Sequence, residues 1–137
     1  MLQKNLVRKN NTESSRQASF STFVQFLFMF QVTIKLYHWR TNSYTRHVIT
    51  DKFNTSLLEF IDRFVETYIG TYNIKPLMDN VPIAIDMISD VKIMDLFMMA
   101  KTTLQQMDEW SQDSDLLALR DDFLAIVEQT IYLFRFQ

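Results

Sequence analysis

Apolar residues recur along this chain at spacings of three and four, which is the period of an α-helix. From about Ser19 they are so dense that they cover more than one side of the first predicted helix: Phe20, Phe23, Val24, Phe26, Leu27, Phe28, Phe30 and Ile34. A helix that is apolar on several sides must be covered on more than one front. We expect one front inside its own helical bundle and another against a second subunit.

Three further helices are predicted. The second begins after the polar stretch RTNSYT, where Ser43 or Thr45 suits an N-cap, and ends near Gly70, the only glycine of the chain. The third runs from about Val91 to Trp110. The fourth follows the SQDSD cluster, whose polar and acidic residues suit the first turn of a helix.

Residues 71–81 form a connection between helices two and three, and the stretch PIAIDMIS after it suits a short extra helix with Pro82 in its first turn. Glycine and proline usually mark the turns between strands, and this chain has only one glycine and two prolines in 137 residues. The predicted fold class is therefore all-α. The architecture expected is a four-helix bundle with a short extra helix in the connection between helices two and three.

Residues 1–18 are polar and lack apolar periodicity, which predicts a flexible tail ahead of one bundle domain at 19–137. The tail is basic, because Lys4, Arg8, Lys9 and Arg16 face a single acid, Glu13. Such a tail can contact DNA phosphates, and repeated copies on an assembly would add avidity. The remaining residues carry more acids than bases, so a nucleic-acid surface on the folded domain is not expected.

Composition narrows the chemistry further. The chain has no cysteine, which excludes thiol nucleophiles, disulfides and thiolate metal sites. Its most apolar segment, FSTFVQFLFMFQVTIKLY, is interrupted by Gln25, Gln31 and Lys35, so we expect no membrane span and a cytoplasmic protein.

Both histidines of the chain and several acids lie near and along the second predicted helix. At about 100° per residue, His47, Asp51, Asp62 and Glu66 share one face, but the first pair stands about 16 Å from the second along the axis. One chain cannot bring both pairs to one ion. An antiparallel copy across a two-fold axis would do so, creating two equivalent sites in a dimer.

The types of ligand limit which metal ions are expected at such a site. His38, nine residues before His47, can add a further imidazole from the end of the first helix. Nitrogen and oxygen ligands without sulfur suit Fe(II), Mn(II) or Zn(II). A carboxylate-bridged di-iron centre inside a single bundle would need Glu-x-x-His pairs, and the sequence contains none.

This pattern resembles the ferroxidase motif of the Dps-type mini-ferritins, which are ferritin-like four-helix bundles. The resemblance rests on the pair His38-Trp39, then His47 and Asp51, then Asp62 and Glu66, and it covers about residues 34–70. The helix order extends it loosely over residues 19–136. The link from His38 to His47 is shorter than is usual in that family and lacks the family's glycine.

The resemblance implies shared sites, with His38, His47 and Asp51 from one chain and Asp62 and Glu66 from its two-fold neighbour as catalytic and metal-binding residues. There, Fe(II) would be oxidised to Fe(III) by peroxide or dioxygen, for iron storage and detoxification. A larger cage of dimers is implied as well. If the chain belongs to a phage or large-virus branch, the protein would be virion-associated.

Two other functions stay open at this point. A non-catalytic helical bundle could use the same interface to assemble a particle or to dock a partner, with the acids as solvated surface. A DNA-compacting protein could bind through the basic tail at residues 1–18.

Overall fold

The computed structural model describes residues 2–136, apart from the side chains of residues 7–11. Within them lie four α-helices: α1 Leu2–Arg40, α2 Tyr44–Tyr72, α3 Ile93–Gln105 and α4 Ser114–Leu133. A short 3-10 helix, Gln106–Glu109, continues α3. The described residues contain no strand, so the prediction of an all-α protein is confirmed.

The first helix is longer than the apolar pattern predicts. It begins at Leu2 instead of near Ser19, so the described backbone of the predicted tail is helical. No glycine or proline interrupts residues 2–18, and a helix that is already packed can propagate at little further cost. Arg16 lies 4.5 Å from the centre of the Tyr72 ring, and Gln17 donates to the carbonyl of Lys75 at 3.1 Å.

The ends of α2 are set by one predicted and one unpredicted cap. The hydroxyl of Ser43 accepts from the backbone N–H of Arg46 at 3.2 Å, as an N-cap should. At the other end the helix passes through Gly70 and stops at Tyr72. Asn73 adopts the left-handed conformation there, with φ 51°, and donates its N–H to Ile69 at 2.7 Å.

The helices pack in a ring: α1 on α2, α2 on α4, α4 on α3 and α3 on α1. The interior of the ring is aromatic. Phe60 stacks on Phe123 with ring centres 4.4 Å apart, and Phe97 meets Phe30 and Phe53 edge to face at 5.6 and 5.0 Å. These rings give the four helices one continuous core.

Residues 73–92 connect α2 to α3 by running along α1. Near one end, the N–H of Leu77 donates to the Ser21 hydroxyl at 2.9 Å; near the other, Asp90 accepts from the Tyr37 hydroxyl at 2.7 Å. Ser21 and Tyr37 stand about 24 Å apart along the helix axis. The connection therefore crosses the length of the bundle and leaves α3 parallel to α2 and antiparallel to α1.

The predicted short helix after Pro82 is wrong, because residues 82–89 are not helical. On a helix, the apolar residues Ile83, Ile85, Met87 and Ile88 would spread around the axis, so no single side could bury them. Instead, the connection lies extended and packs Met78 and Ile88 against the core.

Among the described residues, Thr12–Arg40 is long and apolar enough to span a membrane by length and composition alone. In the structure its apolar residues Phe20, Leu27 and Ile34 are fully buried in the core.

One buried cation joins the third and fourth helices. Arg120 of α4 donates to the backbone carbonyl of Leu104 at 2.9 Å, to Asp108 at 2.8 Å and to Asp121 at 2.6 Å. Its side chain is buried, whereas both carboxylates are exposed to solvent. The guanidinium thus satisfies a carbonyl at the end of α3, where a cation also complements the helix dipole.

We expect Arg120→Ala to lower the free energy of unfolding by roughly 2–3 kcal/mol, since a buried carbonyl loses its charged donor and the buried stem leaves a void. Urea unfolding followed by circular dichroism measures this change. The exposed Arg63→Ala is the control and should shift stability by less than about 0.5 kcal/mol. Equal midpoints for the two variants would contradict the assigned role of Arg120.

Candidate metal centre

The two histidines meet at the corner between α1 and α2. His38 lies in the last turn of α1 and is 7% exposed, whereas His47 lies in the first turn of α2 and is exposed. The link between the helices is only three residues long, 41–43. Their rings stack with centres 3.9 Å apart and planes inclined by 17°.

Each histidine is hydrogen-bonded to the backbone of the other. Nδ1 of His38 lies 2.8 Å from the carbonyl oxygen of His47, and Nδ1 of His47 lies 2.9 Å from the carbonyl oxygen of His38. A carbonyl oxygen can only accept, so each Nδ1 carries a proton and donates. In the neutral ring Nε2 then holds a free lone pair, which is the arrangement found in metal-binding histidines.

Thr50 adds a contact on the buried side of this pair. Its hydroxyl donates to the carbonyl of Arg46 at 2.8 Å and lies 3.1 Å from Nδ1 of His38. The proton on His38 is therefore shared between two oxygen acceptors, which fixes the orientation of the ring.

Asp51 lies next to the imidazoles on α2. Its Oδ1 is 4.0 Å from Nε2 of His38, and its side chain is 70% exposed. Metal–ligand bonds of about 2.1 Å place two adjacent ligand atoms roughly 3.0–3.5 Å apart. A small rotation of the exposed Asp51 side chain reaches that separation.

The stacked rings limit how the two imidazoles can act together. The lone pair of an imidazole nitrogen lies in the ring plane, so two nearly parallel rings direct their lone pairs side by side. One ring must turn before both can bind one ion. His47 is the ring that can turn, because it is exposed while His38 is buried.

Asp62 and Glu66 are exposed on the same face of α2, about 16 Å further along the helix. Within the part of the chain that the structure describes, no three His, Asp or Glu side chains converge on a point that could hold an ion. His38 lies close to His47 and to Asp51, but the three side chains do not converge on one point, and Asp62 and Glu66 lie apart from them. Leu58, half exposed, lies between the two groups.

Among the described residues, the space between the four helices offers no room for a metal centre. A carboxylate-bridged di-iron site would occupy the bundle interior. That interior is filled by phenylalanine rings, among them Phe30, Phe53, Phe97 and Phe123, each no more than 2% exposed. The described interior therefore has no room for such a site.

Sequence reasoning missed a carboxylate on the other side of the corner. Asp90 accepts from the hydroxyls of Tyr37 and Thr41 at 2.7 and 2.8 Å, and these bonds, Tyr37 first, hold its pKa below the ordinary value. Burial is the main cause that raises the pKa of Tyr37. Asp90 follows Tyr37 by 53 residues, so only the path of the connection brings them together.

The predicted tail is partly engaged with the folded domain. The guanidinium of Arg16 lies over the ring of Tyr72, whose hydroxyl donates to Asp113. Lys4 is exposed, and the side chains of Arg8 and Lys9 lie outside the described residues.

The hydrogen bonds predict one tautomer for both histidines. At a pH where the rings are neutral, we expect His38 and His47 to carry their proton on Nδ1, because each Nδ1 faces a carbonyl. Long-range ¹H–¹⁵N correlation spectra of the metal-free protein distinguish the two tautomers directly. A proton on Nε2 of either ring would contradict the reciprocal bonding.

Comparison with known proteins assigns the chain to a family. No curated protein and no solved structure matches it. A family of unknown function, DUF5856, matches residues 38–134, a span that begins at His38 and continues through α2, α3 and α4. Because that span is well over half of the chain, the protein belongs to the DUF5856 family.

Proposed function

We propose that the protein is a mini-ferritin-like ferroxidase that binds Fe(II) between two antiparallel copies of α2 and oxidises it with peroxide or dioxygen. The reciprocal bonding of His38 and His47 carries this proposal. It leaves an Nε2 lone pair on each ring, on the helix face that also bears Asp51, Asp62 and Glu66. Imidazole nitrogens and carboxylates without sulfur form a ligand set suited to iron, and also to zinc or manganese.

The topology supports a ferritin-like four-helix bundle. Ferritin-like folds differ from simple up-and-down bundles by one long crossover connection. Residues 73–92 make such a crossing here, with contacts to α1 near Ser21 and near Tyr37. The crossing makes α2 and α3 parallel, while the short links leave α1 antiparallel to α2 and α3 antiparallel to α4.

The ligand set divides into two half-sites. In an antiparallel pair, His38, His47 and Asp51 of one chain would face Asp62 and Glu66 of the other. The midpoint between the two groups falls near Leu58, which would lie close to the two-fold axis. Its half-exposed apolar side chain gives this face apolar surface for a dimer contact.

The chemistry follows from the ligands. Neutral imidazoles hold Fe(II), and carboxylates stabilise Fe(III) by their charge, so the mixed set keeps the iron bound as it loses an electron. Peroxide accepts two electrons and two protons to become two waters, so two Fe(II) ions are consumed for each peroxide. A cage of such dimers in the cytoplasm would retain the ferric product as a mineral.

We expect the purified protein to oxidise Fe(II) in a fast phase after peroxide is added to the anaerobically loaded sample. The double variant His47→Ala, Asp62→Ala should react only at the rate of iron in free solution, since both half-sites lose a ligand. Asp122→Ala removes an exposed acid from α4, away from the ligand face of α2, and is the matched control. Equal rates for the double variant and the wild type would overturn the proposed activity.

The shared site makes a second prediction, which a site within one chain does not. His47→Ala and Asp62→Ala, made separately and then mixed with subunit exchange, should recover about a quarter of the wild-type activity, because half of randomly paired dimers are mixed and each keeps one intact site. Stopped-flow absorbance of the ferric product measures the recovery. Absence of recovery in assembled, mixed dimers would contradict a site shared between two chains.

A further inference from the structure

Both histidines have direct neighbours in the sequence that bind Asp90. Tyr37 precedes His38 and donates to Oδ1 of Asp90 at 2.7 Å. Arg46 precedes His47 and donates to the backbone carbonyl of Asp90 at 2.6 Å. Thr41, just beyond α1, donates to the same Oδ1 at 2.8 Å. One residue of the connection therefore binds the end of α1, the link and the start of α2.

The contacts around Asp90 are reinforced by the end of the chain. Arg46 also donates to the Tyr37 hydroxyl at 3.2 Å and to the carbonyl of Phe134 at 3.4 Å, and its guanidinium lies 5.1 Å from the centre of the Phe134 ring. Tyr37 is 1% exposed. The Asp90 side chain itself is 47% exposed, but it is bonded to the buried Tyr37 and paired with Arg46, which also contacts the residue that ends α4.

Contacts on both sides of the corner set the distance between the end of α1 and the start of α2. Adjacent residues of a helix point about 100° apart. Tyr37 and Arg46 therefore contact each other on one side of the α1–α2 corner, while His38 and His47 contact each other on another side. The two imidazole–carbonyl bonds are 2.8 and 2.9 Å long and leave little tolerance for a shift of one helix against the other. The Asp90 contacts hold the helix ends at that spacing.

We propose that Asp90 is a positioning residue of the metal centre, which holds the α1–α2 corner at the spacing where His38 and His47 orient each other in the metal-free protein, before His47 turns toward a bound ion. This inference rests on the proposed function for its link to iron. The contacts themselves do not require the metal. The lowered pKa of Asp90 means that the carboxylate is charged at neutral pH, so its bonds weaken only as the pH falls below the ordinary range of a carboxyl group.

Three variants of the full-length protein test the proposal. Asp90→Ala removes the acceptor for Tyr37 and Thr41. Asp90→Asn keeps an oxygen that can accept both bonds and leaves the backbone bond from Arg46 in place. Asp86→Ala removes an exposed acid from the same connection, one for which the described residues provide no hydrogen bond or ion pair, and serves as the control.

Two measurements apply to each variant: the hydrogen-exchange rate of the two Nδ1 protons in the metal-free protein, and the affinity for Co(II) read from its visible absorbance. We expect Asp90→Ala to speed exchange of both protons and to weaken Co(II) binding by roughly 10–100-fold, the range for residues that orient metal ligands. Asp90→Asn should restore most of both properties, and Asp86→Ala should match the wild type. Unchanged exchange and affinity in a folded Asp90→Ala protein would overturn the proposal.

If Asp90→Ala does not fold, Thr41→Val removes one of the two donors to Oδ1 at a half-buried position and should speed ring-proton exchange to a smaller degree. No change in exchange for Thr41→Val and for Asp90→Asn would then count against Asp90. Exchange needs neither metal nor oxidation. Faster exchange in a protein that neither binds Co(II) nor oxidises Fe(II) would uphold Asp90 as the residue that fixes the corner and overturn the proposed ferroxidase function.

Discussion

The first helix carries more apolar surface than one neighbouring layer can cover, and much of the fold follows from that excess. Its inner side packs Phe20, Leu27 and Ile34 into the core shared with the other helices. The connection at residues 73–92 runs along this helix and is bonded to it near Ser21 and near Tyr37. Because the connection must travel the length of α1, the third helix starts at the same end of the bundle as the second and runs parallel to it.

The same crossing determines what happens at the corner that carries the histidines. The far end of the connection places Asp90 against Tyr37, Thr41 and Arg46. The ends of α1 and α2 are therefore bonded to a third segment, in addition to being joined by the three-residue link. The link is too short to form a separate loop, and this shortness brings two imidazoles into stacking contact. The short link, which departs from the mini-ferritin pattern, is therefore what allows the reciprocal hydrogen bonds between His38 and His47.

Much of the fold could be predicted from the local sequence pattern, and the predictions that were wrong share one cause. The apolar spacing gave the presence and order of the four helices, and Ser43 was recognisable as a cap because capping needs only three neighbouring residues. The extra helix after Pro82 and the start of α1 near Ser19 were wrong, because both depended on how distant segments cover each other. The candidate ligands on α2 were placed on one face by helical geometry alone, while the role of Asp90 depends on a contact across 53 residues.

Division of the proposed ligands between two chains would couple assembly to chemistry. One chain holds two imidazoles and one exposed carboxylate near each other, which leaves an ion open to water on one side. The two carboxylates that would complete its shell would arrive only with the neighbour. Any ion that binds the completed site better than the half-site must stabilise the dimer by the same free energy, since linkage is reciprocal. Ferric iron, with the higher charge, gains more from the added carboxylates than ferrous iron does, so oxidation itself would tighten the interface on which the site depends.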